Sequence, residues 1–232
     1  MKASDIMTSP VITAGPDTPV TKIAALLLAK HISAVPILDE GRLVGIVSEG
    51  DLLHRHEIGT DRHARPGSWW LRLFSEDRSA SEYVKSHARQ ARDVMTRDVV
   101  SVAPETPIAE IADLLETRGI KRVPVLRGGT LVGIVSRANL VQALAVVAHR
   151  EKRKHPGNDD AIRGRLLMEL EGHSWWRPLR SNVLVSDGVV HYWGTIDSED
   201  ERDAARVAAE NIAGVHAVDD HRRLFQPVEA MA

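Results

Sequence analysis

The sequence predicts an α+β protein made of a tandem repeat followed by one smaller α+β unit. The segment Gly45-Ile46-Val47-Ser48 recurs 88 residues later as Gly133-Ile134-Val135-Ser136. Near the C-terminus, Asp187-Gly188 lies between two apolar runs, and this dipeptide is typical of a tight β-hairpin. Because an internal repeat sets the architecture, we expect two similar units and a third unit of different topology.

The first copy is predicted to run strand, helix, strand, strand, helix. Asp17-Thr18-Pro19 combines a capping side chain with a proline at the first helical position, which favours a helix start. Residues 35–38 and 43–47 are short apolar runs separated by a turn, as expected for strands. Another helix is predicted to begin at Glu49.

The second copy repeats this order. Thr106-Pro107 predicts a helix start, and Gly119 is a typical helix stop. Residues 123–126 and 131–135 predict the two strands, and a long helix is expected from about residue 137 to residue 149.

The third unit is predicted to run helix, strand, strand, helix, strand. Residues 160–170 place leucines and an isoleucine on one helical face, and residues 198–212 predict the second helix. The two strands of the hairpin are expected at residues 183–185 and 189–193, and the last strand ends near Leu224.

Composition limits the functional classes. The net charge of −2 gives no general reason to expect a nucleic-acid partner. The chain has no cysteine, and its first 16 residues lack the apolar run of a signal peptide. No stretch approaches the roughly 20 apolar residues that span a bilayer. We therefore expect a cytoplasmic protein.

The repeat resembles a tandem pair of CBS domains, the Bateman module. In the first copy the resemblance rests on Asp5-Ile6-Met7-Thr8, Ser33-Ala34-Val35-Pro36, residues 43–48 and Asp51-Leu52. In the second copy it rests on Asp93-Val94-Met95-Thr96, Arg122-Val123-Pro124, residues 131–136 and Asn139-Leu140. It implies two CBS domains that pack as a pseudo-twofold pair, each with the order β-α-β-β-α.

The third unit resembles a BON domain, with the order α-β-β-α-β. The resemblance is carried by Val189-Val190, Gly194, Ala208, Asn211-Ile212 and Gly214-Val215. The predicted organisation is CBS domain 1 at residues 1–54, an inserted linker at 55–88, CBS domain 2 at 89–150, a linker at 151–157 and the BON domain at 158–227.

Similarity to CBS pairs implies a cleft that binds an adenosine-containing nucleotide such as AMP, ADP or ATP. In the first site, Asp51 would accept hydrogen bonds from the ribose hydroxyls, and Ser48 would reach the ribose or the phosphate. The segment Ile32-Ser33-Ala34 would hold adenine together with Ile12. Lys121 and Arg122 would contact phosphate from across the cleft.

The resemblance places Ser136 and Asn139 in the second site, with His31 as the cross-cleft counterpart of Lys121 and Arg122. Asn139 is neutral, and an imidazole carries less positive charge at pH 7 than a lysine. We therefore expect the first site to bind a charged nucleotide more tightly. The alternative is that Asp51 and Asn139 only cap helices.

Four of the five tryptophans form two Ser-Trp-Trp triplets, at Trp69-Trp70 in the insert and at Trp175-Trp176 in the third unit. One interpretation is that each pair anchors a loop onto its own domain. The other is that they form an interface, because aromatic residues are enriched in interface cores. Protein partners are therefore expected through the BON unit or the insert, and CBS resemblance also implies a homodimer.

The sequence favours a non-enzymatic regulatory protein that senses a nucleotide. Its 11 histidines show no paired metal-ligand spacing, no P-loop is present, and there is no cysteine nucleophile, so no catalytic or metal-binding residue is predicted. The alternative is a ligand-free scaffold, or a membrane-surface tether that acts through the BON unit. That unit holds eight arginines and thirteen acidic residues, and anionic lipids attract basic segments, which disfavours the tether.

Overall fold

The structure is a computed structural model that describes residues 1–53, 87–150 and 158–225, without the side chains at 147–150. The helices are α1 (Ala3–Ile6), α2 (Val20–Lys30), α3 (Glu49–Leu52), α4 (Ala91–Val94), α5 (Ile108–Thr117), α6 (Arg137–Arg150), α7 (Asp159–Glu171) and α8 (Glu199–Glu210). The strands are β1 (Ala34–Asp39), β2 (Arg42–Ser48), β3 (Arg122–Arg127), β4 (Thr130–Ser136), β5 (Ser181–Ser186), β6 (Val189–Ile196), β7 (Ala217–Asp220) and β8 (Arg223–Leu224).

The predicted α+β class is confirmed, including the hairpin in each repeat. Strand β1 pairs antiparallel with β2, and β3 pairs with β4. The expected first strand of each copy is reduced to one isolated bridge, Ala14 to Ile37 and Val102 to Val125. Prolines lie close to both segments, and a proline has no N–H with which to extend a ladder.

Among the described residues, no helix is both long enough and apolar enough to cross a membrane. The Trp69-Trp70 pair and the predicted linker at 151–157 lie outside the described residues.

The chain forms two compact units whose boundaries differ from those of the sequence repeats. The composite unit contains Met1–Val11, Ser101–Arg127 and Val132–Ala232. The smaller unit contains Ile12–Val100 and Gly128–Leu131. The N-terminal segment, Met1–Val11, thus belongs to the unit that holds most of the second copy.

An exchange of segments explains these boundaries. In the composite unit, the backbone of Thr8 both donates to and accepts from Ile134, at 2.9 and 3.1 Å. In the smaller unit, Thr96 makes the same two hydrogen bonds with Ile46, at 2.9 and 3.0 Å. Each copy therefore pairs the segment before its first long helix, α2 or α5, with the second hairpin strand of the other copy.

Two glycines make this close approach sterically feasible. A Cβ atom at Gly133 would collide with the side chain of Met7, and one at Gly45 would collide with that of Met95. Both methionines are buried, and each packs against a strand that belongs to the other copy of the repeat. The repeated glycine of the sequence pattern is therefore a packing requirement.

The BON unit contains a sheet in the order β5-β6-β7, with β8 paired to the far end of β6. Helices α7 and α8 pack on one face, over a core that includes Ile162, Leu166, Val190, Tyr192 and Ala205. The Tyr192 hydroxyl donates to the Ala205 carbonyl at 2.8 Å. The predicted order helix, strand, strand, helix, strand is confirmed.

The opposite face of this sheet packs against the second CBS copy within the composite unit. Leu184 is 1% exposed and belongs to the same core as Ile6, Val135 and Val146. Asn182 donates to the Gln142 side chain at 3.0 Å. The BON unit is therefore docked on the repeat through both apolar and polar contacts.

Candidate functional site

The first half-site lies in the smaller unit, where β2 ends and α3 begins. The Ser48 amide and hydroxyl both donate to Oδ2 of Asp51, at 2.8 and 2.7 Å. Asp51 is the third residue of α3 and is half-buried. Its carboxylate therefore satisfies the helix start, as in a capping box. The Thr96 hydroxyl lies 3.5 Å from the other oxygen, Oδ1.

The second half-site repeats this geometry in the composite unit. The Ser136 amide and hydroxyl donate to Oδ1 of Asn139, at 2.8 and 2.7 Å. The Asn139 Nδ2 donates to the Thr8 hydroxyl at 3.4 Å. Because a backbone N–H can only donate, the amide oxygen must face Ser136, which fixes the orientation of the Asn139 side chain.

The two half-sites differ in the acceptors that remain for a ligand. An amide oxygen has two lone pairs, and Ser136 occupies both of those on Asn139. Among the described residues, Oδ1 of Asp51 receives only the long contact from Thr96. Asp51 thus keeps an acceptor and a charge, whereas Asn139, at 5% exposure, offers at most an N–H donor.

The residues expected around adenine belong to the smaller unit, as does Asp51. The Ser33 carbonyl accepts a hydrogen bond from the Glu49 amide at 3.1 Å, which ties the start of β1 to the start of α3. Ala34 is buried, and Ile32 packs against the core of this unit. Ile12 is half-buried.

The pairing of His31 with Lys121 and Arg122 is wrong. The Lys121 carbonyl accepts from the Arg137 amide at 3.1 Å, which is the bond that Ser33 makes in the first copy. Lys121 is therefore equivalent to Ser33. His31 ends α2 with a left-handed φ of 51°, and its equivalent is Gly119, with a φ of 63°.

Lys121 is exposed, and Arg122 is half-buried at the start of β3. The corresponding positions of the first copy are Ser33 and Ala34, which carry no charge. The copies are thus unequal in cations as well as in the residue at the helix start.

The second tryptophan pair packs within its own domain. Trp176 is 5% exposed, belongs to the BON core and packs edge-on against Tyr192, with ring centroids 5.9 Å apart. Trp175 stacks on His173 at 5.2 Å. For this pair, the structure agrees with the interpretation that it anchors a loop onto its own domain.

A polar cavity of about 280 Å³ lies where the N-terminal segment meets the BON unit, and its lining includes Asp5, Asp160, Arg163 and Ser186. None of the predicted ligand-binding residues lines it. Burial lowers the pKa of Arg163 to about 10, against the effect of the two carboxylates. Burial also raises the pKa of Asp5, whereas a hydrogen bond from Lys2 lowers that of Asp160.

The BON sheet brings together three side chains that the sequence analysis did not connect, His191, Asp219 and His221. Their spacing along the chain forms no local motif, because 28 residues separate His191 from Asp219. Only the pairing of β6 with β7 places them side by side.

Models of known protein families match all three predicted domains. The CBS domain model matches residues 3–57 and 91–146, and the BON domain model matches residues 158–223. The uncharacterized protein MJ1426 of Methanocaldococcus jannaschii is 33% identical over 159 residues, which cover 62% of this chain and 91% of that protein.

Two further relatives show how far the similarity extends. The crystal structure of CBSX2 in complex with AMP matches with a TM-score of 0.55 and 28% identity, over 63% of this chain and 98% of that chain. The A-adding tRNA nucleotidyltransferase of Aquifex aeolicus is 27% identical over 145 residues, which are 62% of this chain but 14% of the enzyme. The likeness to that enzyme is thus restricted to a small part of it.

The repeat, the exchanged segments and these matches all indicate the same protein family. The chain belongs to the family of CBS-domain proteins, as a tandem CBS pair followed by a C-terminal BON domain.

Proposed function

We propose that the chain is a cytoplasmic regulatory protein that binds an adenosine-containing nucleotide, of the AMP, ADP or ATP type, at the first half-site. The observation that carries this proposal is the state of the Asp51 carboxylate. One oxygen is fixed by Ser48, the other has acceptor capacity, and the residue as a whole is half-buried. Two adjacent ribose hydroxyls can donate to a group of this kind.

The similarity to the AMP complex of CBSX2 supports adenosine as the ligand class. Ser48 uses its hydroxyl hydrogen on Asp51, so it offers oxygen lone pairs to a ligand. In this proposal Ile12 and the segment Ile32-Ser33-Ala34 hold the base. Lys121 and Arg122 hold the phosphate, and the ligand leaves Ser136 and Asn139 largely unused.

The N-terminal segment offers a route from ligand to BON domain. Its Met7 carbonyl accepts a hydrogen bond from Arg163 of α7 at 3.1 Å. The same segment continues directly into Ile12, which we place in the nucleotide site. A ligand that binds one arrangement of this segment better than another would shift the docking of the BON domain.

Exchanging Asp51 for asparagine tests the ligand role separately from the helix start. Asn139 shows that asparagine satisfies this helix start in the second copy, so Asp51→Asn should keep the fold. We expect it to weaken AMP binding by about 1.5–3 kcal/mol, the range for hydrogen bonds to a charged group. This is about 10- to 150-fold in Kd, measured by isothermal titration calorimetry on the full chain.

The matched control is Asp39→Asn, which makes the same charge change at the exposed end of β1. It should bind AMP as the parent chain does. Equal affinity of the Asp51→Asn variant and the parent chain would refute the role given to Asp51.

A ligand-free scaffold is the second candidate. It is favoured by one observation: Asp51 and Asn139 both accept a hydrogen bond from the backbone at a helix start, which is a structural role in its own right. If the parent chain gives no binding heat with AMP, ADP, ATP, NAD or S-adenosylmethionine, this second function replaces the first.

A further inference from the structure

Strand pairing in the BON domain brings two histidines and an aspartate onto one face of the sheet. Strands β6 and β7 are parallel, with His191 opposite Asp219. The ladder continues past β7, because the His221 amide donates to the Tyr192 carbonyl at 2.8 Å. Side chains alternate between the faces of a strand. His191, Asp219 and His221 therefore lie on the face opposite to Tyr192 and the BON core.

The ligand atoms of this His-Asp-His cluster lie near the spacing that a metal ion requires. Nδ1 of His191 is 3.6 Å from Oδ2 of Asp219, and one ligand atom from each of the three residues lies within 4.8 Å of the others. Metal bonds of 2.0–2.1 Å in tetrahedral geometry separate ligand atoms by about 3.4 Å. His221 must therefore close by at most about 1.4 Å to complete a site of that geometry.

The three residues of the cluster differ in their exposure to solvent. His191 is 4% exposed, whereas Asp219 and His221 are exposed. The His221 ring stacks on Trp193 at 4.1 Å and on His191 at 5.9 Å, nearly parallel to both. The buried imidazole thus lies on the inner side of the cluster, and an ion can enter from the exposed side.

The chemistry of the donors selects the class of ion. Imidazole nitrogen suits zinc, copper, iron and nickel, whereas calcium and magnesium take oxygen ligands. The single carboxylate compensates part of the charge of a divalent cation. Two imidazoles and one carboxylate leave a fourth position for water or another ligand, as in open zinc sites.

We propose that His191, Asp219 and His221 bind one divalent first-row transition ion, for which Zn²⁺ is the probe. The ion joins β6 to the chain that follows β7, at the edge of the BON sheet. Trp193, which stacks on His221, also packs against the core shared with the second CBS copy. A bound ion therefore stabilises the face on which the BON domain docks.

Calorimetric titration of the EDTA-treated full chain with ZnCl₂ tests this site. We expect saturable binding and a higher Tm in the presence of Zn²⁺. The variants His221→Gln and Asp219→Asn change exposed ligands, which avoids unfolding caused by a change at buried His191. Each should weaken the binding at this site by about 100-fold or more, because loss of even a supporting residue costs 10- to 100-fold.

The matched control is His216→Gln, an exposed histidine of the same domain outside the cluster. This variant should bind Zn²⁺ as tightly as the parent chain and show the same rise in Tm. Three outcomes would overturn the proposal: no saturable Zn²⁺ binding, unchanged binding in both cluster variants, or a loss in the control as large as in those variants. Tighter binding of Ca²⁺ than of Zn²⁺ would also overturn it.

Discussion

The side chains of Asp51 and Asn139 differ in one terminal atom, and this atom decides what each half-site can offer. Both residues use one oxygen to satisfy the start of a helix. In Asp51 the remaining atom is an acceptor that shares the charge, whereas in Asn139 it is a donor already turned towards Thr8. The first half-site is therefore the one that we propose for the ribose diol.

The sequence predicts this difference in residue type and in charge, but not which hydrogen-bond acceptors each side chain keeps. Asp51 and Asn139 align at the repeat spacing of 88 residues. The saturation of the Asn139 oxygen depends on the two donors of Ser136, which only the three-dimensional structure shows. The predicted pairing of His31 with Lys121 and Arg122 departs from this repeat spacing, which aligns His31 with Gly119, and the backbone conformations of the two residues agree with that alignment.

The pKa values of Asp160 and Asp5 are shifted in opposite directions from that of an ordinary aspartate. The hydrogen bond from Lys2, 2.8 Å long, lowers the pKa of Asp160, and burial raises the pKa of Asp5. Ionised Asp160 thus contributes stability above its unfolded pKa, and this contribution is lost as the pH falls through its folded pKa. Asp5 has the opposite sign, since its contribution is present at low pH and is lost as the pH rises through its folded pKa.

The variant Lys2→Met should therefore raise the pKa of Asp160. Carboxyl-carbon NMR across the acidic pH range would follow the titration of both groups. Lys22→Met, which removes an exposed lysine of the smaller unit, should leave Asp160 unchanged. An Asp160 titration that Lys2→Met does not move would contradict the assigned cause.

At the scale of elements, local patterns predict helices and strands but not the exchange between copies. The hairpins were predicted within one or two residues in the repeat, because turns and apolar runs are adjacent in sequence. The pairing of Thr8 with Ile134 joins distant positions, and no local period indicates it. Helix α1 was also missed, since its four residues are too few to show a period.

Besides the Lys2–Asp160 ion pair, one guanidinium group joins helix α7 to the N-terminal segment. Arg163 donates to the carbonyls of Val183, Ser4 and Met7 at 2.8, 2.9 and 3.1 Å. Arg163→Met keeps an unbranched apolar stem but leaves these acceptors without the cation. We expect a loss of about 3 kcal/mol in the free energy of unfolding, because an unsatisfied buried group costs about 1–3 kcal/mol and such costs are not additive.

Urea unfolding would measure this loss, and amide exchange would locate it. Exchange of the Ala3, Ser4 and Met7 amides should accelerate, because their hydrogen bonds depend on the position of the segment. Arg165→Met is the control, since Arg165 is exposed and donates within the BON domain, to Ala161 and Ala213. Equal effects of the two variants on the segment would contradict the role of Arg163.

At the scale of the whole molecule, the repeats and the folded units have different boundaries. A fragment of residues 1–54 would lack Ala91, Val94 and Met95, which belong to the core of the smaller unit. It would also expose Ile6 and Met7, whose partners lie in the composite unit. Residues 12–100 contain the complete core of the smaller unit.

We therefore expect residues 12–100 to melt cooperatively by circular dichroism and residues 1–54 to show no cooperative transition. Both fragments contain the β1–β2 hairpin and α2, so secondary-structure propensity cannot account for the difference. A cooperative transition in the shorter fragment would show that the exchanged segment is dispensable.

The exchange of segments between the copies also affects the order in which parts of the chain can fold during synthesis. Thr8 leaves the ribosome early, yet its partner Asn139 follows 131 residues later. The smaller unit can close once Thr96 has emerged and has paired with Ile46. The N-terminal segment cannot complete its pairing until β4 is made, because contacts distant in sequence form only when both partners exist. The first residues translated are thus among the last to find their place, and the BON domain, which docks on them, completes the fold.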